Sequence, residues 1–258
     1  DRGPASVTNS RVVIRATNPW RPVAGDGESA LYVSDLENAE LTYEKKHELN
    51  IGAAFGFFDN RINIEADWYK RNNYDLIGPV TTQGIGGQVT KLGNVASMQS
   101  SGVEFTLSTV NINKKNFKWT TDFIYSHAEN RVTDLDNQQR VIDLVAGTGF
   151  ALEGYPVRSV FSIPYRGLNS EGIPTFLDQS GEVTTTGIYF QERDNIDFLE
   201  YSGTADPTDF GSFGNTFQWK GLKLNVFFTY SFGNVVRLDP CFRAAYSDLT
   251  AMPREYKN

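Results

Sequence analysis

Two carboxylates two positions apart, Glu65 and Asp67, are the closest this sequence comes to a catalytic pair. On a strand they would share one face, as the acid and the nucleophile or base of a glycoside hydrolase flank their substrate. Strand alternation alone also gives this spacing, and the charged face of a wetted sheet carries such pairs routinely. We therefore interpret the pair as part of a charged surface and expect no catalytic residue in this chain.

No other pattern in the sequence is typical of an enzyme or a cofactor site. His47 and His127 are the only histidines, and no histidine or cysteine cluster has metal-ligand spacing. A G-x-S-x-G nucleophile motif is absent. The run Gly84-Ile85-Gly86-Gly87 lacks the third glycine of a dinucleotide fingerprint, and Asp178-Gln179-Ser180-Gly181 has an incomplete calcium-ligand pattern. We expect a surface loop at the first and a plain turn at the second, with no metal and no cofactor.

Composition excludes several further classes. The 258 residues carry a formal charge of −7, which argues against a nucleic-acid partner. No window approaches the roughly 20 continuous apolar residues of a transmembrane helix. The single cysteine, Cys241, rules out an internal disulfide framework. Because the chain begins at Asp1 without a signal peptide, we expect it to be a piece of a longer secreted precursor.

The strongest pattern in the chain is strict alternation between Glu44 and Asp75. The apolar positions of its two arms are Leu49, Ile51, Ala53, Phe55 and Phe57, then Ile62, Ile64, Ala66 and Trp68. Polar or small residues occupy the alternate positions, and Asp59-Asn60 supplies a turn between the arms. A period of two predicts a β-hairpin and excludes a helix.

Two further hairpins repeat this pattern. One joins 98–109 to 117–126 through a polar turn, and the other joins 211–219 to 222–232 through Lys220-Gly221. Phe227 is an exception, because it falls on the polar face. The turns within hairpins are short, whereas the connections 72–97 and 128–206 are long, as in outer-membrane barrels with short periplasmic turns and long outer loops.

Strand length agrees with a membrane span. Nine residues from Leu49 to Phe57 rise roughly 26 Å, or about 20 Å of height after a tilt of ~40°. That height is close to the apolar band of an outer-membrane barrel, about 25 Å. The sequence therefore predicts an all-β fold: a segment of an antiparallel, up-and-down transmembrane β-barrel with long extracellular loops.

The segment 128–206 holds most of the acidity of the chain. It has thirteen acidic residues, five arginines and no lysine, so its net charge is −8. Strand directions on either side require an even number of crossings within it. Val160 to Gly167 looks strand-like, but Pro164 removes a ladder donor. We expect zero crossings and a mostly extracellular excursion, with two crossings as the alternative.

Short motifs along residues 38–255 resemble the barrel of SusC/RagA-type TonB-dependent transporters. In the first half they are Leu41-Thr42-Tyr43-Glu44, Asn50-Ile51-Gly52, Gly56-Phe57-Phe58-Asp59-Asn60-Arg61, Asp67-Trp68-Tyr69-Lys70, Asp75-Leu76-Ile77, Gly93-Asn94 and Ser101-Gly102-Val103-Glu104. In the second half they are Glu153-Gly154-Tyr155-Pro156, Tyr165-Arg166-Gly167, Gly172-Ile173-Pro174, Asp178-Gln179-Ser180-Gly181 and Tyr230-Ser231-Phe232-Gly233-Asn234. Each motif is short, and the order and spacing of the set carry the resemblance.

The resemblance implies a bacterial outer-membrane transporter with a barrel of about 22 strands and an N-terminal plug, energised through the TonB complex. It also implies a SusD-like surface lipoprotein as a lid, and oligosaccharides or peptides as cargo. The sequence departs from the family pattern because it shows no recognisable plug, TonB-contacting segment or final strands. Residues 1–258 are thus expected to be an interior-to-late part of the barrel domain.

Two sets of candidate residues follow from the alternation and the resemblance. Lumen-facing candidates, which would touch cargo or simply form a wetted wall or plug contact, are Glu65, Asp67, Tyr69, Arg71 and Glu104. Candidates for lipid contact or an interfacial girdle are Phe55, Trp68, Phe105, Trp119, Tyr125, Trp219, Phe228 and Tyr230.

A second function from another class fits the same alternation: a soluble all-β cell-surface module that binds glycans, or a glycoside hydrolase. In a sandwich a second sheet covers the apolar face, whereas in a barrel this face meets lipid. The exposure of Phe55, Ile64, Phe105 and Phe228 separates the two classes.

Overall fold

The structure, a computed structural model, describes residues 13–17, 30–35, 38, 40–81, 90–136 and 139–238. Within these residues the elements are β1 Val13–Thr17, β2 Ala30–Asp35, β3 Lys45–Phe57, β4 Ile62–Thr81, β5 Thr90–Lys114, β6 Phe117–Leu135, α1 Val141–Val145, β7 Ser159–Ser162, β8 Tyr165–Leu168, β9 Pro174–Leu177, β10 Val183–Thr184, β11 Glu200–Thr204, β12 Asp209–Trp219 and β13 Leu222–Phe232. None of the described helices is long and apolar enough to cross a membrane.

A six-stranded antiparallel sheet dominates the fold, in the order β13-β12-β6-β5-β4-β3. The three predicted hairpins are confirmed as β3–β4, β5–β6 and β12–β13. Between the second and third hairpins, β6 pairs directly with β12, from His127 opposite Asp209 to Phe117 opposite Trp219. Residues 139–208 therefore contribute no strand between β6 and β12.

The turn of the first hairpin is longer than Asp59-Asn60 alone, because residues 58–61 separate β3 from β4. Phe58, Asp59 and Asn60 all adopt left-handed backbone angles, with φ of 54°, 56° and 61°. The amide of Arg61 closes the turn by donating to the carbonyl oxygen of Phe57 at 3.0 Å. Left-handed geometry costs an L-residue roughly 1–2 kcal/mol, less for Asn and Asp than for Phe.

Three strands are longer than the alternation predicts. The expected loop 72–97 is wrong, because β4 runs to Thr81 and β5 begins at Thr90. Likewise β6 continues to Leu135, so the first eight residues of 128–206 belong to the sheet. In these extensions of β4, β5 and β6, which we call the upper arms, polar side chains occupy both faces of the sheet. For example, Gln99 Nε2 donates a hydrogen bond to Asn72 Oδ1 at 3.0 Å. The backbone ladder continues there while the apolar period disappears.

Other expectations fall partly or wholly outside the described residues. The run 84–87 and Cys241 are among them. Strand β1, which starts at Val13, pairs with β2 in a separate two-stranded sheet. The Asp178 turn is a plain turn, in which the carboxylate accepts the amides of Ser180 and Glu182 at 2.9 Å each.

The inserted segment, residues 139–208, folds into small sheets of its own. Strand β7 pairs with β11, while β8, β9 and β10 form a three-stranded sheet. The strand-like run from Val160 to Gly167 is in fact split, with Pro164 between β7 and β8. Proline lacks the N–H that a continuous ladder requires, which explains why the two strands join different sheets.

The buried core of the described residues lies at the end of the six-stranded sheet where the inserted segment joins it. The buried apolar side chains are Val95, Val132, Val141, Leu144, Val160 and Phe161. Tyr155, Phe161 and Tyr201 pack there with ring centroids 5.0 to 5.5 Å apart. The Val132 amide donates to the Tyr155 carbonyl oxygen at 2.9 Å, which fastens the inserted segment to β6.

Hydrogen bonds of Asn94 hold the chain before β3 against the upper arms. The side-chain amide of Asn94 accepts the Thr42 N–H at 2.7 Å and donates to the carbonyl oxygens of Thr42 and Asp75 at 2.9 and 2.6 Å. One asparagine thus satisfies three backbone groups that have no ladder partner. This role gives a physical reason for the motif Gly93-Asn94.

Candidate functional site: the two faces of the sheet

Cross-strand register sorts the side chains of the six-stranded sheet into two chemically different faces. One row runs across all six strands and is entirely apolar: Phe55, Ile64, Leu107, Phe123, Phe213 and Phe228. We call the side of the sheet that carries this row the aromatic face. All eight lipid or girdle candidates lie on it, namely Phe55, Trp68, Phe105, Trp119, Tyr125, Trp219, Phe228 and Tyr230.

Nothing among the described residues covers the aromatic face. Phe55 and Phe228 are 55% and 62% exposed, and Phe213 is 42% exposed. Ile64 and Phe105 are half-buried, by their neighbours within the sheet. A sandwich would bury these side chains under a second sheet. An apolar surface of this extent indicates contact with a membrane or another protein.

Polar groups on the aromatic face are paired with one another. Asn215 Oδ1 accepts both Trp119 Nε1 at 2.8 Å and Thr121 Oγ1 at 2.7 Å. Toward the other end, the Tyr125 hydroxyl donates to Asp209 Oδ1 at 2.6 Å. An unpaired polar group costs several kcal/mol in an apolar medium, so this pairing suits a face that meets lipid.

The opposite side of the sheet, the charged face, carries all five lumen candidates. These are Glu65, Asp67, Tyr69, Arg71 and Glu104. Asp67 lies directly opposite Glu104, an arrangement of like charges that is destabilising unless water screens it. Arg71 forms two hydrogen bonds of 3.2 Å to the Glu48 carboxylate, and its guanidinium lies 5.3 Å from the Tyr69 ring centroid.

Glycines on the charged face make room for aromatic rings. A Cβ at Gly102 would lie 2.6 Å from both the Tyr69 hydroxyl and the His127 carbonyl oxygen. A Cβ at Gly214 would lie 3.0 Å from Phe227 Cδ2. Phe227, the exception to the alternation, therefore covers a strand position that has no side chain of its own.

Glu65 and Asp67, the pair of carboxylates noted in the sequence, both lie on β4 and on the charged face. Glu65 and Asp67 stand on an open sheet surface with no described element above them. Within the described part of the chain, no group of three histidine, cysteine or acidic side chains is arranged to hold a metal ion. The arrangement can bind water and polar solutes by charge and hydrogen bonding.

A cleft of about 400 Å³ lies where the inserted segment joins the sheet. Its lining includes Asn130 from β6 and Tyr201 and Asp206 from the inserted segment. Asp206 is paired with Arg158 at 2.7 Å, and burial raises the pKa of the Tyr201 hydroxyl. Sequence reasoning missed this cleft, because its residues come from distant parts of the chain and share no motif.

These observations define the class of the protein: a nearly all-β chain built on a six-stranded antiparallel sheet, with one uncovered aromatic face and one charged face. No family model matches the chain. It is similar to TonB-dependent receptor P3 of Formosa agariphila, with 26% identity over an alignment of 251 residues that covers 91% of this chain and 25% of the relative. It is also similar to TonB-dependent receptor P26 of the same organism, 27% identical over 82% of this chain and 22% of the relative.

Solved structures agree with these relatives. The RagAB peptide importer in its closed-closed state superposes with a TM-score of 0.68 and 25% identity, over 88% of this chain and 25% of the matched chain. TonB-dependent receptor SusC of Bacteroides thetaiotaomicron is 32% identical over 102 residues, 38% of this chain and 10% of SusC. This chain is therefore similar, over most of its own length, to SusC/RagA-type TonB-dependent receptors. It spans about a quarter of the length of the first curated relatives it matches.

Proposed function

We propose that this chain forms part of a bacterial outer-membrane TonB-dependent transporter that imports nutrients. The observation that carries the proposal is an uncovered aromatic face backed by a charged face on the same sheet. Its relatives are named TonB-dependent receptors, and a structural neighbour is a peptide importer. The chain acts in transport and not as an enzyme.

The two faces of the sheet have different functions in the barrel wall. The aromatic face contacts lipid, and its tryptophans and tyrosines lie toward the two interfaces, as in other barrels. The charged face lines a wet lumen, to which Glu65, Asp67 and Glu104 present their carboxyl groups, and Arg71 stays paired with Glu48. Like charges at neighbouring positions are tolerable because water screens them.

Cargo and partners follow from the relatives. We propose oligosaccharide or peptide cargo, a SusD-like lipoprotein as a lid, and the TonB complex acting through a plug elsewhere in the full-length protein. A peptide importer among the structural neighbours supports peptides, and SusC among the relatives supports the SusC-type assembly.

The inserted segment would lie outside the membrane, above the sheet. The direct pairing of β6 with β12 supports this placement. So does the composition of 139–208, which has ten acidic residues, four arginines and a net charge of −6, because a segment that acidic is costly to bury in lipid. Its exposed apolar residues, among them Tyr189 at 61% and Leu168 at 63%, suit contact with a lid. We propose that it forms part of the docking rim and the cargo mouth, rather than only a shield over the barrel.

The transport proposal is tested in cells that lack the full-length protein. We expect uptake of a labelled oligopeptide or oligosaccharide pool to fall, and to return when the wild-type protein is restored. A proton uncoupler should abolish the restored uptake, because the TonB complex draws on the proton gradient. Undiminished uptake of every pool in the deleted strain would contradict the proposal.

A further inference from the structure

A groove of about 330 Å³ lies at the turn end of the sheet, away from the inserted segment. The β3–β4 turn forms one wall and the end of β5 forms the other. Its lining residues are Phe58, Arg61, Ile62, Thr109, Val110 and Asn111. None of these residues belongs to the two candidate sets described above.

The groove contains a cation held in place by neutral groups. Arg61 Nη2 donates to the carbonyl oxygens of Val110 at 3.2 Å and Asn111 at 3.1 Å. Carbonyl oxygens orient a guanidinium but leave its charge uncompensated. Among the described residues, no carboxylate lies within ion-pair distance of Arg61.

The groove also has an apolar wall that continues onto the aromatic face. Phe58 is 76% exposed, although its backbone is left-handed with φ of 54°. The Arg61 amide holds this conformation by donating to the Phe57 carbonyl oxygen at 3.0 Å and to that of Phe58 at 3.2 Å. Ile62, directly after Arg61, pairs with Phe57 and lies on the aromatic face. A fixed cation thus stands beside apolar side chains that lead toward lipid.

We propose that this groove binds the anionic headgroup of a membrane phospholipid. The Arg61 guanidinium pairs with the phosphodiester, because its planar N–H groups match phosphate oxygens. Phe58 and Ile62 contact the first carbons of the acyl chains, because removing their apolar surfaces from water is favourable. The inference rests on the proposed function, because an outer-membrane barrel has its short turns at the periplasmic side of the membrane.

The test uses the full-length protein in neutral detergent, titrated with phosphatidylglycerol and followed by native mass spectrometry. Arg61→Gln should weaken retention of one phosphatidylglycerol by about tenfold or more, since a charge-assisted contact is lost. The matched control is Lys115→Gln, an exposed cation in the β5–β6 turn at the same end of the sheet but outside the groove. This control should leave retention unchanged.

Two further arms separate a lipid from free phosphate. Phe58→Ser should also weaken phosphatidylglycerol retention, and inorganic phosphate at equal concentration should fail to displace the lipid. Displacement by inorganic phosphate, or equal losses in Arg61→Gln and Lys115→Gln, would overturn the proposal. Matching melting curves for all variants exclude misfolding.

Failure of the lipid site and failure of the proposed function are distinguishable. If the aromatic face does not meet a membrane, spin labels at Phe105 and Glu104 report water alike. If those labels report lipid and water respectively while Arg61→Gln retains the lipid normally, only the groove proposal is wrong.

Discussion

Phe105 and Thr106 are adjacent on β5, yet the register places them on opposite faces of the sheet. We expect Phe105→Arg to destabilise the full-length protein in a bilayer by ~2–4 kcal/mol, because a charge near the membrane midplane is costly. Thr106→Arg, one residue along, should cost less than about 1 kcal/mol, since the new charge reaches water. Urea unfolding in lipid vesicles measures both. Equal costs would contradict the assignment of the faces.

Gly102 illustrates how a single missing Cβ shapes the charged face. A Cβ there would lie 2.6 Å from the His127 carbonyl oxygen, a backbone atom that moves only with its strand. We expect Gly102→Ala to destabilise the sheet by about 1–3 kcal/mol, as overpacking does. Gly221→Ala is the control, since nothing lies within 4 Å of its added Cβ. A neutral Gly102→Ala in the same unfolding assay would show that β5 and β6 can separate without cost.

At the scale of elements, the alternation of apolar residues with polar or small ones predicted the three hairpins, and the stretch from Leu49 to Phe57 is an example. The alternation did not predict the parts of the strands in which polar side chains occupy both faces of the sheet. Asn72, Asn73 and Gln99 carry no apolar period, although the ladder runs through them. The hydrogen bonds of Asn215, which sequence reasoning missed, had a weak signal, because Asn215 lies between the aromatic residues Phe213 and Phe217 of β12.

Strand alternation also allowed the sequence to assign the candidate residues to two different faces of the sheet. Parity alone distributes Glu65 and Phe105 between two faces, because both follow strand alternation. Their environments, lipid or lumen, stay predictions. The Arg61 groove and the cleft beside Tyr201 were not predictable, because each joins segments that only the register brings together.

The short helix α1 is stabilised by an ion pair whose contribution depends on pH. Arg140 donates to both carboxylate oxygens of Asp143, at 2.9 and 2.7 Å, and holds the pKa of Asp143 below its ordinary value. Because the folded pKa is depressed, this tie is present above the unfolded pKa and is lost as pH falls through the folded one. We expect hydrogen exchange of residues 139–146 to accelerate, relative to intrinsic rates, below about pH 4.

The control for this experiment is Asp143→Asn, which should show weak protection at every pH. Other carboxylates near α1 titrate in the same range, and the variant keeps them. The same loss of protection in Asp143→Asn on acidification would assign the effect to those groups. Unchanged protection of the wild type from pH 7 to pH 3 would contradict the role of the ion pair.

At the scale of the molecule, β3 and β13 are the edge strands of the six-stranded sheet, and among the described residues each has one free edge. Free edges and an exposed aromatic face favour association with other chains. We expect residues 1–258 expressed alone to aggregate in water or to require other parts of the barrel. A soluble monomer that melts cooperatively, detected by light scattering and calorimetry, would instead favour the soluble glycan-binding or hydrolase alternative.

Deleting residues 170–200 from the full-length protein tests the inserted segment. We expect a properly assembled barrel that no longer captures its lipoprotein lid, because the exposed apolar residues of this region would be gone. Co-purification of the lid and cargo uptake measure the effect, and heat-modifiable migration reports assembly. Normal assembly together with normal capture and uptake would show that the segment only shields the barrel.

The most direct test of the central claim is a comparison of neighbouring positions in a bilayer. Spin labels are attached at Phe105 and Val226 on the aromatic face and at Glu104 and Asn225 on the opposite face of the full-length protein. Labels at Phe105 and Val226 should collide with oxygen dissolved in lipid, and labels at Glu104 and Asn225 with a water-soluble nickel chelate. The same environment at neighbouring positions would contradict the assignment of this chain to a membrane barrel wall.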